Sequence, residues 1–569
     1  MNNIFIYLEI IICVLIGITM RFEKKRPGNI WRLIYSLPLF IGICMFAFIQ
    51  FDFKIAGVLL GTCIMCGCLF TSAYKKKQII AVSSLSVMVL FTVLGFMIKG
   101  INNPGFVSDF DYLFNVMREH YVLTDEKSID WDELYDTYRP LVLNAEIDND
   151  KTEYFKVMTL FTQEFYDGHV SFALNNESDN HTAMLEAYGN DYGLSLMRLS
   201  DGRFVAVNVE GCGVSYSIND KDQKFEKADE YLTKDVDVNR LTILNAGIKN
   251  GTVITSWDGK SMEELMDEQE LYLFPSPDKV NEEFYLPICA AGNGGDTVEI
   301  TFIDDDGLEK KVTAPKLGAY APRLLDTINK IDAGENISNL DTIAIDDNTV
   351  LLRIYVMAYD GNSYEGAEYD EMTDKLRDTL LAYKNLGYTR LIIDLRQNNG
   401  GSPFMVTGVV KLFAPGGEHF SQYTGVIDTA SATYYRGDDG KYIKNEKITY
   451  MGEDIWADGE IILLVNGETV SAGDYMTYVM AEYPNVTITG FTGSNSSCQA
   501  VTVVEGKMSN ISFSAVPNLD EYGDVMIDTF TDHVRRVPID TIIPINQDVI
   551  DAVFNNGEDY ILDYVLNNQ

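Results

Sequence analysis

The chain has 569 residues, too long for one ordinary core, so several domains are expected. It carries 84 Asp/Glu against 44 Lys/Arg; ten of the basic but only three of the acidic residues lie in positions 1–100, leaving 34 and 81 beyond them. Such an acidic remainder repels nucleic acid and argues against a nucleic-acid-binding role, while its interspersed aromatics and apolar runs argue against a disordered tail.

Four apolar stretches, residues 3–20, 33–51, 55–74 and 79–98, each approach the roughly 20 residues needed to cross a bilayer as a helix. They do not fit a cleaved leader, which has one short apolar run. Arg21, Lys24, Lys25, Arg26 and Arg32 follow the first stretch, and Lys75, Lys76 and Lys77 follow the third. Basic loops stay in the cytoplasm, so the expectation is a multi-pass cell-membrane protein with everything after Lys99 outside. Cys63, Cys66 and Cys68 have metal-like spacing, but no His or carboxylate accompanies them, and no metal or other cofactor is expected. Cys212, Cys289 and Cys498 are an odd number and indicate no full disulfide framework.

After Pro104-Gly105, Phe110, Leu113, Phe114, Met117 and Tyr121 recur at helical spacing. Tyr154, Val157, Met158, Phe161 and Phe165 predict a second helix, ending at Asp167-Gly168, with His169 opening a short strand over 170–174. Residues 193–196 and 204–207 alternate like strands around the turn Asp201-Gly202, a charged insertion runs to about Arg240, and strands are expected near 297–302 and 311–314. The stretch from Ala246 through Gly251-Thr252 to Asp258-Gly259 resembles the PDZ module in its bacterial arrangement, with Thr252 where an Asp is usual. From about 340 strands and helices alternate: strand 350–356, helix 371–384, strand 390–395, helix 404–413, strand 461–465, helix 472–482. That order predicts an α/β layer with mostly parallel pairing. The expected domains are 1–100 (four-helix transmembrane anchor), 101–185 (N-terminal helical part), 186–318 (PDZ-like, with the insertion) and 319–569 (α/β core).

Two strand ends carry the chemistry. Leu391-Ile-Ile-Asp-Leu-Arg-Gln-Asn-Asn-Gly-Gly401 runs from a buried strand into a glycine-rich loop, where backbone N–H groups can approach a ligand. Ile461 to Tyr475 reads strand, turn, helix, with Ser471 at the helix start. Serine there is a favoured N-cap, which is a purely structural role. The helix N-terminus equally suits a nucleophile, because free N–H groups and the positive dipole end stabilise a developing oxyanion.

Asp394-Leu-Arg-Gln-Asn-Asn-Gly-Gly401, then Val470-Ser-Ala-Gly-Asp474, with Asp167-Gly-His-Val170 upstream and a PDZ-like segment between, is similar to the signature of the tail-specific, or C-terminal processing, serine peptidases. The resemblance covers about residues 106–569, including the closing Gly557-Glu-Asp-Tyr-Ile-Leu-Asp-Tyr-Val565. It implies a crotonase/ClpP-like α/β core with an inserted PDZ-like β-domain, and peptide-bond hydrolysis of protein or peptide substrates through an acyl-enzyme. It implies Ser471 as nucleophile and an oxyanion hole from the N–H groups of Gly400 or Gly401 and Ala472. The family's better-known branch pairs serine with a lysine, but Asn495 stands at the matching position and Lys507 falls well past it. The resemblance is therefore closer to the tricorn-core branch, whose base is a histidine, which here is His169. Serine needs such a base at neutral pH, and histidine titrates in the right range. Gly168 replaces the serine that precedes the histidine in that branch, and Asp528 and Asp532 are the candidates for its late orienting acid. A competing expectation is a pseudopeptidase that keeps the fold and binds peptides without efficient catalysis. A membrane sensor, in which the four spans would carry the function, is a further alternative. Oligomeric state is not legible.

Overall fold

The computed structural model describes residues 105–212, 215–219, 224–228, 241–270, 279–332, 337–358, 367–526 and 537–568. One sequence expectation is corrected at the level of fold class. Among the described residues no helix is long and apolar enough to cross a membrane. The stretches expected to span, between Asn3 and Ile98, lie outside the described residues. The architecture of the described residues is a mixed α/β fold, with no membrane-spanning helix among them.

Three helices open it: α1 (Phe106–His120), α2 (Trp131–Asp148) and α3 (Lys151–Gln163). Phe106, Phe110, Leu113, Phe114 and Met117 make the buried stripe of α1. In α3, Tyr154, Val157, Met158 and Phe161 do the same, and Asp150 caps the first turn by accepting the Glu153 N–H at 3.0 Å. The α2 helix has no expected counterpart, because only Trp131, Tyr138, Val142 and Ala145 are buried along its 18 residues and Pro140 interrupts the pattern. The chain leaves α3 through the Asp167-Gly168-His169 turn into β1 (Ser171–Leu174).

The middle of the chain forms an antiparallel sheet from β2 (Ser195–Arg198), β3 (Phe204–Val207), β4 (Val253–Trp257), β5 (Thr297–Ile303) and β6 (Glu309–Pro315), in the order β6-β5-β4-β3-β2, with Lys260–Ser261 also paired to β4. Helix α4 (Ala321–Ile331) leads out of it.

The second sheet positions the site. It contains β7 (Thr342–Ala344), β8 (Thr349–Arg353), β9 (Arg390–Asp394), β12 (Glu460–Leu464), β13 (Val486–Gly490) and β16 (Thr541–Ile542), in that spatial order. All pairings except β7 with β8 are parallel. Helices α5 (Ala367–Asn385), α6 (Pro403–Phe413) and α7 (Ala472–Met480) connect the strands. Strand residues alternate between two cores. Val350, Leu352, Leu391, Ile393, Ile461 and Leu463 pack with Leu376, Val409 and Met476 of those helices. Leu351, Ile392, Ile462 and Leu464 join the core of the antiparallel sheet and Ile561 and Val565 of the last helix, α8 (Tyr560–Asn567). Both faces are covered, which is why these strands read as unbroken apolar runs.

A long hairpin of β10 (Gly417–Gly425) and β11 (Lys444–Gly452) follows α6. Finally β14 (Ala500–Glu505) and β15 (Ser509–Val516) return to the start of the chain, where β15 pairs antiparallel with β1. Asp109 of α1 fixes this closure by accepting from the N–H of Met508 at 2.9 Å and the hydroxyl of Ser509 at 2.5 Å.

Candidate active site

Strands β9 and β12 are parallel neighbours, so the loops after them leave the same edge of the sheet. Three hydrogen bonds interlock them: Thr469 Oγ1 to Leu395 O (2.8 Å), Gln397 N to Asn466 Oδ1 (3.1 Å) and Val470 N to Asn398 O (3.0 Å). Ser471 emerges from this lock at the N-cap of α7, but its side chain caps nothing. Its backbone stands at φ 62°, ψ −121°, a strained conformation for a residue with a Cβ that costs on the order of 1–3 kcal/mol. A serine on a sharp, strained strand-to-helix turn is the geometry of a nucleophile elbow. The helix-cap reading of Ser471 therefore does not hold.

The glycine-rich loop lies directly against it. A Cβ on Gly400, at φ +93°, would fall 2.5 Å from the Cβ of Ser471, and one on Gly401, at φ +134°, would overlap the carbonyl of Met357. Gly400 donates its own N–H to Asn398 Oδ1 at 2.9 Å, and Asn398 is held by Ile354 O at 2.8 Å. In this conformation the Gly400 N–H is thus engaged within the loop. Ala472 is the first residue of α7, where a backbone N–H has no intrahelical acceptor.

His169 is buried. Its backbone N–H donates to Asp167 Oδ1 at 2.9 Å, and its ring Nδ1 stands 4.0 Å from the same oxygen. Neither ring nitrogen has a hydrogen-bond partner, so a Ser471–His169 hydrogen bond is not formed here. Burial pushes the imidazole pKa below its ordinary value, and the Asp167 carboxylate partly offsets this. Asp167, fully buried, is itself fixed by the hydroxyls of Tyr121 (3.1 Å) and Ser514 (2.8 Å) on its other oxygen.

Two residues with no role assigned from the sequence, Asp474 and Ser497, connect the turns. Ser497 accepts the Ser471 N–H on its carbonyl and the Gly168 N–H on its hydroxyl, both at 2.8 Å. Asp474, in the first turn of α7, accepts the N–H groups of Ser496 and Ser497, each at 2.9 Å. Burial pushes its carboxyl up to about 7, against hydrogen bonds from Ser494, Ser497 and Ser496 that lower it. The only available signal was an acid one turn into an otherwise apolar helix, followed by a run of small polar residues at 494–497. Asn495 lies against Gly168, where any side chain would overlap it. Lys507 is exposed in the β14–β15 turn. Asp528 and Asp532 lie outside the described residues.

Residues 350–514 match Peptidase family S41, and residues 106–163 match the Tricorn protease C1 domain. No curated protein matches the chain. Among solved structures, mature CPAF complexed with lactacystin is 12% identical, with 82% of this chain and 97% of that one covered at a TM-score of 0.50. A putative peptidase from Parabacteroides merdae is 16% identical (82% and 96% covered, TM-score 0.38). The photosystem II D1 C-terminal processing protease is 13% identical (80% and 98% covered, TM-score 0.29). The S41 match spans the run from β8 through the Gly400-Gly401 loop and Ser471 to β15, the tricorn C1 match covers α1 to α3 before it, and together they mark the chain as a serine-type peptidase similar to the tail-specific peptidases of family S41.

Proposed function

We propose that Ser471 is the nucleophile and His169 the general base of an acyl-enzyme mechanism on protein or peptide substrates. The observation that carries the reading is the backbone of Ser471: a strained serine at a helix start, capping nothing. Its Oγ attacks a peptide carbonyl while His169 takes its proton. The N–H of Ala472, helped by the helix dipole, and that of Gly401 hold the oxyanion; Gly400 supplies the room that its missing side chain leaves beside Ser471. His169 then protonates the leaving amine, and water resolves the ester. Its depressed pKa supports this role, since a base must be neutral to accept a proton. Among the described residues Asp167 is the carboxylate within 4.0 Å of the ring, and it orients its turn. The antiparallel sheet of residues 195–315 is read as a PDZ-like module that would hold substrate chain ends.

The full-length chain should react with a serine-directed fluorophosphonate and hydrolyse an unstructured protein substrate. Ser471→Ala should lose both, with hydrolysis falling by about 10⁴-fold or more. Undiminished labelling of that variant would remove Ser471 from its role. One observation favours the pseudopeptidase alternative, namely that both ring nitrogens of His169 are unpaired. Catalytic hydrogen bonds of substrate-free sites often form only when substrate binds; absence of labelling in the unaltered chain would decide for the alternative.

Gly400→Ala is a second test. The added methyl would need a backbone conformation that L-residues rarely adopt, within 2.5 Å of the Ser471 Cβ. A displacement of about 1 Å costs on the order of 10²-fold in rate, so kcat should drop by about that factor. Near-normal kcat in a peptide-hydrolysis assay would show that this loop does not set the nucleophile's position.

A further inference from the structure

We infer that Ser497 is the positioning residue that sets Ser471 and His169 against each other, an inference that rests on the Ser471–His169 reading. It is buried in the segment between β13 and β14, with 3% of its surface exposed. Its carbonyl holds the nucleophile through the Ser471 N–H, and its hydroxyl holds the histidine turn through the Gly168 N–H, one residue before His169. Its own N–H is anchored on Asp474 Oδ2, and its neighbour Ser496 is anchored on Asp474 Oδ1. A single buried residue thus fixes the turns at Gly168 and Ser471, which lie far apart in sequence, and it is itself fixed to the helix that Ser471 begins. Gly168 is part of the device. Its lack of a side chain lets the turn lie flat on Asn495 and Val470, the residue before the nucleophile.

The two contacts separate cleanly by chemistry. Ser497→Ala keeps the backbone bond to Ser471 and removes only the acceptor for Gly168, leaving that N–H without its partner. The histidine turn is then released while the nucleophile elbow stays. The expected result is a kcat lower by about 10- to 100-fold with KM within about twofold, since a loosened base affects the chemical step. Fluorophosphonate labelling should slow in parallel. Ser497→Thr, which retains the hydroxyl, should restore kcat to within a few-fold. Ser497→Cys, with a weaker acceptor of similar size, should fall between and serves if the alanine variant does not fold.

In a His169→Ala background the Ser497→Ala change should have almost no further effect, because its influence runs through the histidine. Equal losses in both backgrounds, or a Ser497→Ala kcat within twofold of the unaltered chain, would overturn the inference while leaving Ser471 and His169 in place. Retained activity in His169→Ala alone would instead remove the reading beneath it.

Discussion

His169→Ala is expected to lower kcat by about 10⁴- to 10⁶-fold while the protein remains folded, as removal of the histidine does in serine peptidases of other folds. Without it nothing in the described turn can take the Ser471 proton, since Asp167 is engaged by Tyr121, Ser514 and the His169 backbone N–H. The pH dependence gives an independent readout. Burial lowers the imidazole pKa, so the ring stays neutral, and competent as a base, at pH values where an exposed histidine would already be protonated. The acid limb of kcat/KM in the unaltered enzyme should therefore lie below the ordinary histidine value of about 6.5. A limb at or above that value, or a His169→Ala variant within tenfold of normal, would assign the base elsewhere.

Arg396→Met should cost on the order of 3–5 kcal/mol of stability, the range for breaking one side of a buried ion pair. Arg396 is 1% exposed and doubly engaged with two carboxylates. Its Nε and Nη2 bond the two oxygens of Asp394 at 2.9 and 2.8 Å, and its Nη1 and Nη2 bond those of Asp559 at 2.8 and 2.6 Å. Burial alone would raise the Asp394 pKa, but the Arg396 and Arg353 guanidiniums hold it below the usual carboxylate range. Without the Arg396 side chain a fully buried carboxylate at the end of β9 keeps one guanidinium, that of Arg353 at 3.1 Å, and the backbone N–H of residue 396 at 3.1 Å. Asp559, which caps α8 by accepting the Leu562 N–H, would lose its tie to the core. A urea midpoint that falls by several tenths of a molar or more is the expected measurement; a change under about 1 kcal/mol would show that the network contributes little net stability.

The parallel sheet was legible because it is covered on both faces, which forces runs such as Leu391-Ile-Ile and Ile461-Ile-Leu-Leu. The α1 and α3 stripes were legible for the related reason that one face meets a large core. Helix α2 was not, because it buries few residues, and neither was the β10–β11 hairpin, whose half-exposed strands alternate poorly. At the site, residue types pointed to Ser471 and the two glycines, but the sequence pattern favoured a cap, and only the backbone angles of Ser471 separate an elbow from a cap. The histidine came from a family resemblance, not from its surroundings in sequence. Ser497 was invisible altogether, since serine side chains are common everywhere and its partners come from residues 168, 471 and 474.

The hydrogen bond from Gly168 to Ser497 joins residues 329 apart in the chain. A ribosome adds roughly 5–20 residues per second, so the histidine turn is made about 15 to 65 seconds before the serine that holds it. β1 likewise waits for β15 before it can pair. On the Ser471–His169 reading, the nascent chain lacks its aligned pair throughout that interval. On that reading, the same long-range clamp that aligns the finished site also delays activity until nearly the whole chain has been made.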